Sequence, residues 1–147
     1  MVNKILEIMR REIPVSEIMT RDIIALNRTD DLERAEMLFK RHKIRHIPVV
    51  SGEVIIGMLS YTDLLRISFA DAVDENETDV DTLVYNMFTI EQVMVKNVFT
   101  VESTTSIREV AKILATHEFH ALPVVEDGAL VGIVTTTDLI NHMLKFL

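Results

Sequence analysis

An α/β fold made of two copies of one β-α-β-β-α unit is what this sequence predicts, and three observations predict it. The chain repeats itself without a gap at an offset of 75 residues. Inside each copy the apolar period switches in the same order, from short runs to helical spacing and back to runs. Each copy then places a hairpin signal at the same point.

The offset lays Val15–Leu65 over Ile90–Ile140. Identical pairs are Met19/Met94, Thr29/Thr104, His42/His117, Pro48/Pro123, Val49/Val124, Val50/Val125, Gly57/Gly132, Thr62/Thr137, Asp63/Asp138 and Leu64/Leu139. Other pairs keep their apolar character, as Ile18/Val93, Ile47/Leu122 and Leu59/Val134 do. A repeat of this extent sets the reading of everything else.

Taken in order, residues 1–14 read as an additional amphipathic helix, with Ile5, Leu6, Ile8, Met9 and Ile13 on its apolar face. The first repeat is expected over 15–67 and the second over 90–147, joined by an acidic linker at 68–89. Asp22–Leu26 and Asn97–Val101 are short apolar or β-branched runs and predict strands. Leu32, Ala35, Leu38, Phe39 and His42 follow helical spacing, as do Ile107, Val110, Ala111, Ile113 and Leu114. Asp30-x-x-Glu33 and Ser106-x-x-Glu109 are capping-box starts for these helices. Two apolar runs follow in each copy, His46–Val50 with Val54–Leu59 and Ala121–Val125 with Ala129–Val134. Ser51-Gly52-Glu53 and Asp127-Gly128 separate them as turns. A second helix opens at Ser60 or Thr135. In the linker, Leu83–Phe88 carries apolar residues enough for a turn of helix packed on the core.

Composition narrows the function classes. Two halves of 147 residues would each bury little surface alone and are expected to share a core. No apolar run approaches the roughly 20 residues of a membrane span. Lys4, Glu7, Arg10 and Arg11 interrupt the amino-terminal apolar residues, so no secretory leader is read there. The expectation is a cytoplasmic protein with no membrane partner. The absence of cysteine excludes disulfides, thiolate metal sites and cysteine nucleophiles. A net charge of −8 argues against nucleic acid. Most of that charge lies in Asp71, Asp74, Glu75, Glu77, Asp79 and Asp81, a block read as a solvated loop, with a docking or cation site as the sharper alternative.

Two duplicated words now matter. They are Arg45-His46-Ile47-Pro48-Val49-Val50 with His120-Ala121-Leu122-Pro123-Val124-Val125, and Gly57-Met58-Leu59-Ser60-Tyr61-Thr62-Asp63-Leu64 with Gly132-Ile133-Val134-Thr135-Thr136-Thr137-Asp138-Leu139. In these words the chain resembles the tandem repeats of the cystathionine β-synthase (CBS) family, the Bateman modules, over roughly residues 15–145. The resemblance implies two CBS repeats packed about a pseudo-twofold axis, with two clefts that each take an adenosyl nucleotide such as AMP, ADP, ATP or S-adenosylmethionine. Asp63 and Asp138 would hold the ribose, with Ser60, Thr62, Thr135 and Thr137 as hydroxyl partners. The base would lie near Met19, Asp22, Ile24 and Ile44 in one cleft and near Met94, Asn97, Phe99 and Phe119 in the other. Phosphates would point to Arg45, His46 and His120. No cofactor is required; the nucleotide is a regulatory ligand, taken alone or with Mg.

Each assignment has a plain rival. Ser60-x-x-Asp63 and Thr135-x-x-Asp138 also read as capping boxes. Pro48 and Pro123 read equally as strand starts, and Gly57 and Gly132 as sites of close backbone packing. His42 and His117 suit a buried packing or hydrogen-bonding role better than ligation. His42-x-x-x-His46 and His117-x-x-His120 have metal-like spacing, but one residue of each pair is expected on a strand.

Catalytic motifs are missing from the sequence: there is no Gly-rich phosphate loop, no Gly-x-Ser-x-Gly and no His-Glu-x-x-His. The expected function is therefore a non-enzymatic adenosyl-nucleotide sensor acting on a separate effector protein. The alternative is a ligand-free module for protein interaction. A homodimer is expected from Leu65, Ile67, Ile140, Met143, Leu144, Phe146 and Leu147, more apolar surface than one small core can use.

Overall fold

A computed structural model describes residue 3, residues 12–70 and residues 85–147, the side chains of 68–70 excepted. The acidic block and most of the expected amino-terminal helix fall outside the described residues. The end of that stretch is extended: Ile13 accepts a hydrogen bond from the Ile107 N–H at 2.8 Å, and Pro14 bridges Ser106. The chain forms two compact units.

The first, here the Asp63 unit, is Ile24–Val98. It holds β1 (Leu26–Asn27), α1 (Leu32–His42), β2 (His46–Ser51), β3 (Val54–Ser60), α2 (Tyr61–Ala70) and the short α3 (Ile90–Val93). β2 is central, parallel to β1 with Leu26 opposite Val49 and antiparallel to β3 with Val49 opposite Gly57. α1 begins because the Asp31 carboxylate accepts the Arg34 N–H at 2.8 Å. Asp31 is therefore the cap, one residue beyond the expected Asp30, which instead accepts the Asn27 N–H in the preceding turn. Lys43 stops the helix in the left-handed region at φ 53°, and Lys40, Arg41 and His42 complement the negative end of its dipole. Leu32, Ala35, Leu38 and Phe39 turn inward onto Ile47, Val49, Leu59 and Leu64. Each fully buried large side chain of this set contributes about 1.5–3 kcal/mol. Tyr85–Met87 form the expected helical turn, with Tyr85 buried in the same core.

The second, the Asp138 unit, joins the described residues before Ile24 to Phe99–Leu147. It holds a 3-10 turn at Val15–Glu17, then β4 (Val101–Glu102), α4 (Ile107–Thr116), β5 (Ala121–Glu126), β6 (Ala129–Thr135) and α5 (Thr136–Leu144). Its sheet repeats the order, with β5 central. Ser106 caps α4 by accepting the Glu109 N–H at 3.1 Å. Val15, Met19, Val101, Val110, Leu114, Leu122, Val124 and Val134 make its core.

Two expectations change. The strands expected over Asp22–Leu26 and Asn97–Val101 contract to two residues each, because only Leu26–Asn27 and Val101–Glu102 find a parallel partner. The hairpins are both two-residue loops, yet they differ. Asp127 and Gly128 both have positive φ, the type I′ arrangement, whereas only Gly52 does in the first copy, as type II′ requires.

Candidate functional site

In the Asp63 unit the candidate residues converge where β3 becomes α2. Ser60 ends β3, and its hydroxyl accepts the Asp63 N–H at 3.0 Å, which caps the helix. The Asp63 carboxylate is half-buried and lies 3.8 Å from the exposed Arg66 guanidinium, a weak pair in solvent. Two backbone links tie neighbouring segments to this turn and its strand. The Tyr61 N–H donates to the Arg45 carbonyl at 2.9 Å, which sets Arg45 beside the helix start. Val95 exchanges two hydrogen bonds with Met58, at 2.9 and 3.0 Å, which seats the segment before Lys96 and Asn97 antiparallel on the edge of β3. His46 lies opposite Ser60 in the sheet. Ile24 and Ile44 are half-buried against the core, together with Tyr61, whose ring tilts on Phe39 at 5.3 Å. Thr62 is exposed.

The Asp138 unit repeats these links with other side chains. Thr135 and Asp138 close a complete capping box: the hydroxyl accepts the Asp138 N–H at 3.1 Å, and the carboxylate accepts the Thr135 N–H at 3.0 Å. The Thr136 N–H donates to the His120 carbonyl at 3.0 Å. Thr20 exchanges hydrogen bonds of 2.8 and 3.0 Å with Ile133, which seats the segment before Arg21 and Asp22 antiparallel on the edge of β6. Asp22, His120 and Thr137 are exposed. Phe99 and Phe119 stand with His117 in an aromatic group, with centroids 4.9 to 6.1 Å apart and His117 stacked on Phe119. The His117 Nδ1 lies 2.7 Å from the Ile113 carbonyl and 3.2 Å from the Thr116 hydroxyl.

The candidate residues thus sort by unit. Met94, Asn97, Ile24, Ile44, Arg45 and His46 lie with Asp63, while Met19, Asp22, Phe99, Phe119 and His120 lie with Asp138. Met19 and Met94 are buried over the glycines of their sheets, and a Cβ on Gly132 or Gly57 would strike the thioether. His42 and His117 are exposed rather than buried, because each falls where its helix ends. His120 lies just before β5 rather than on it. Among the described residues no group of three metal-ligating side chains converges, and no helix is long and apolar enough to cross a membrane. Thr20, Tyr61 and His117 were not singled out as site neighbours, although Tyr61 stands inside a duplicated word and His117 is identical to His42 in the offset.

Both matched segments resemble known proteins. The CBS domain model matches residues 15–70 and again 90–145. An uncharacterized protein of Methanocaldococcus jannaschii, MJ1225, is 26% identical over 130 residues, covering 87% of this chain and 46% of its own length. The chain spans less than half the length of that relative and of three others it matches. Among solved structures, CBSX2 in complex with AMP superposes with a TM-score of 0.74 at 22% identity, over 90% of this chain and 96% of that one. The CBS domain pair of protein MJ0100, in complex with 5′-methylthioadenosine and S-adenosyl-L-methionine, gives 0.73 at 24% identity, over 92% and 98%. Domains of this kind are regulatory and non-catalytic. With the model matching both structural repeats, the chain is a tandem pair of CBS domains and belongs to the CBS-domain family.

Proposed function

We propose that this chain is a regulatory module that binds adenosyl nucleotides and acts on a separate effector protein. The observation that carries the reading is the duplicated turn at Ser60–Asp63 and Thr135–Asp138. Each presents a carboxylate at a helix start, flanked by the same two backbone links. A carboxylate has two oxygens and about four acceptor positions. Asp138 commits one oxygen to its cap and keeps the other for a vicinal diol. Ribose binding and capping are therefore compatible at one residue. The ligands of the similar CBSX2 and MJ0100 structures, AMP, 5′-methylthioadenosine and S-adenosylmethionine, share the adenosine part that such a diol contact reads.

Ligand binding regulates a partner only if the two arrangements of the module differ in affinity for the ligand. A second reading, a ligand-free interaction module, is favoured by the apolar row Ile140, Met143, Leu144 and Leu147, all more than half exposed. The same row supports a homodimer. Titration calorimetry with AMP and S-adenosylmethionine on the wild type, Asp63→Ala and Asp138→Ala separates the two readings. Each variant is expected to lose one binding event and keep the other. Wild-type protein that binds neither ligand would leave only the interaction module.

A further inference from the structure

α1 ends in a run of positive charge that its counterpart lacks. The run holds Lys40, Arg41, Lys43 and Arg45 with no acid among them, whereas the matched positions of the second copy hold Ala115, Thr116, Glu118 and His120. A helix dipole favours cations in the last turn. It does not require this run, because α4 ends at Thr116 with no basic residue in its last turn. Lys43 and Arg45 also lie past the end of α1, where that attraction has fallen off.

Among the described residues the run is left largely unneutralised. Lys40 pairs with Glu36, but no ion pair forms at Arg41, Lys43 or Arg45. All three are exposed. Like charges this close raise one another's energy, and acids supplied from outside the unit would relieve that repulsion.

An apolar anchor stands beside the charges. Met37 is 45% exposed, on the side of α1 turned away from the core residues Ala35 and Phe39. It precedes Lys40 and Arg41 at the helical intervals that share a face. Methionine adapts readily to an irregular apolar partner. Met37, Arg41 and Lys43 together match a segment that offers one apolar side chain among carboxylates. A nucleic acid fits less well, because the net charge of −8 repels its backbone. A short acidic segment is instead steered to this basic end.

Resting on the effector reading above, we propose that the end of α1 is where the effector protein docks. An acidic segment of that partner sets an apolar side chain on Met37 and carboxylates on Arg41 and Lys43.

Fluorescence anisotropy on the whole chain tests this with a labelled peptide, one leucine among aspartates and glutamates. The peptide should bind at low ionic strength and weaken as salt is added. Arg41→Gln with Lys43→Asn should weaken it about tenfold. Asparagine suits position 43, where φ is 53°. Met37→Ser should cost about threefold, and a serine in place of the peptide's leucine should cost that variant nothing further. Arg108→Gln with Lys112→Gln removes as many exposed cations from α4 and should leave the affinity within about twofold. Melting curves check that each variant folds. No binding by the wild type, or equal losses in the α1 and α4 variants, would overturn the docking face. Tighter binding of duplex DNA than of the peptide would make it a nucleic-acid surface, and a lower light-scattering mass of the α1 variant would make it a contact between copies; either overturns the proposal. So would peptide binding that appears only once residues 71–81 are replaced by a neutral linker, which gives the face to the chain's own acidic segment. Failure of AMP to bind the wild type while the peptide binds would overturn the nucleotide reading and leave this surface standing.

Discussion

The Met19 thioether occupies the space above Gly132, where a Cβ would come within 2.5 Å of its sulfur, and Met94 fills the matched space above Gly57. Each leading segment is thereby seated flat on a sheet edge, Thr20 on Ile133 and Val95 on Met58. Gly132→Ala and Gly57→Ala should force the buried methionines aside and cost about 1–3 kcal/mol of overpacking. Thermal melts should show a fall in Tm, and Met19→Ala should restore part of the loss in the Gly132→Ala background.

Capping and ligand binding separate at Asp138. Thr135→Ala removes the acceptor of the Asp138 N–H and should lower stability by about 1 kcal/mol in denaturant titration. Asp138→Asn keeps a side-chain oxygen for the Thr135 N–H and should change stability less, yet it should weaken the adenosyl ligand of that unit because the diol loses a charged acceptor.

Glu36 is the group whose titration should be visible. Burial alone pushes its carboxyl up, but hydrogen bonds from Lys40 and Tyr85, with the Lys40 charge, outweigh burial and hold it below the ordinary value of 4.5. A depressed folded value means a stability increment that is present above pH 4.5 and lost as pH falls through the folded midpoint. Tyr85→Phe should raise the Glu36 midpoint, read by carbon NMR titration of the carboxyl, and shrink that acid-dependent loss.

Ile140, Met143 and Leu144 recur at the 3- and 4-residue intervals of one face of α5, Leu147 follows just beyond its end, and the four are 51%, 58%, 58% and 92% exposed. If this face pairs two copies of the chain, Ile140→Glu with Met143→Glu should convert a dimer to a monomer in light scattering. The double variant should keep its Tm to within a few degrees when measured as a monomer, because neither residue enters the core.

Much of this was legible in the sequence. The offset of 75 residues carried the β-α-β-β-α order twice, and the Pro, Gly and Asp words marked the strands, turns and helix starts. Local signals are reliable there because capping and hairpin geometry are satisfied within three or four residues. Where two equal local partners competed, the sequence was mute: Asp30 and Asp31 are both good caps, and the register of α1 chose Asp31.

By itself, then, the sequence determined the repeat, the elements and the carboxylate at each helix start. Only the tertiary structure decided that residues 15–20 join the sheet that carries Asp138, and residues 90–95 the sheet that carries Asp63. A single bridge of two hydrogen bonds has no period to read, and β3 and β6 each offer an open edge that a leading segment could pair with. The choice followed from long-range packing of Met19 and Met94 on the two glycines. The same packing seats Thr20 against Ile133 and Val95 against Met58, two residues before the Thr135 and Ser60 that open the helix-start turns.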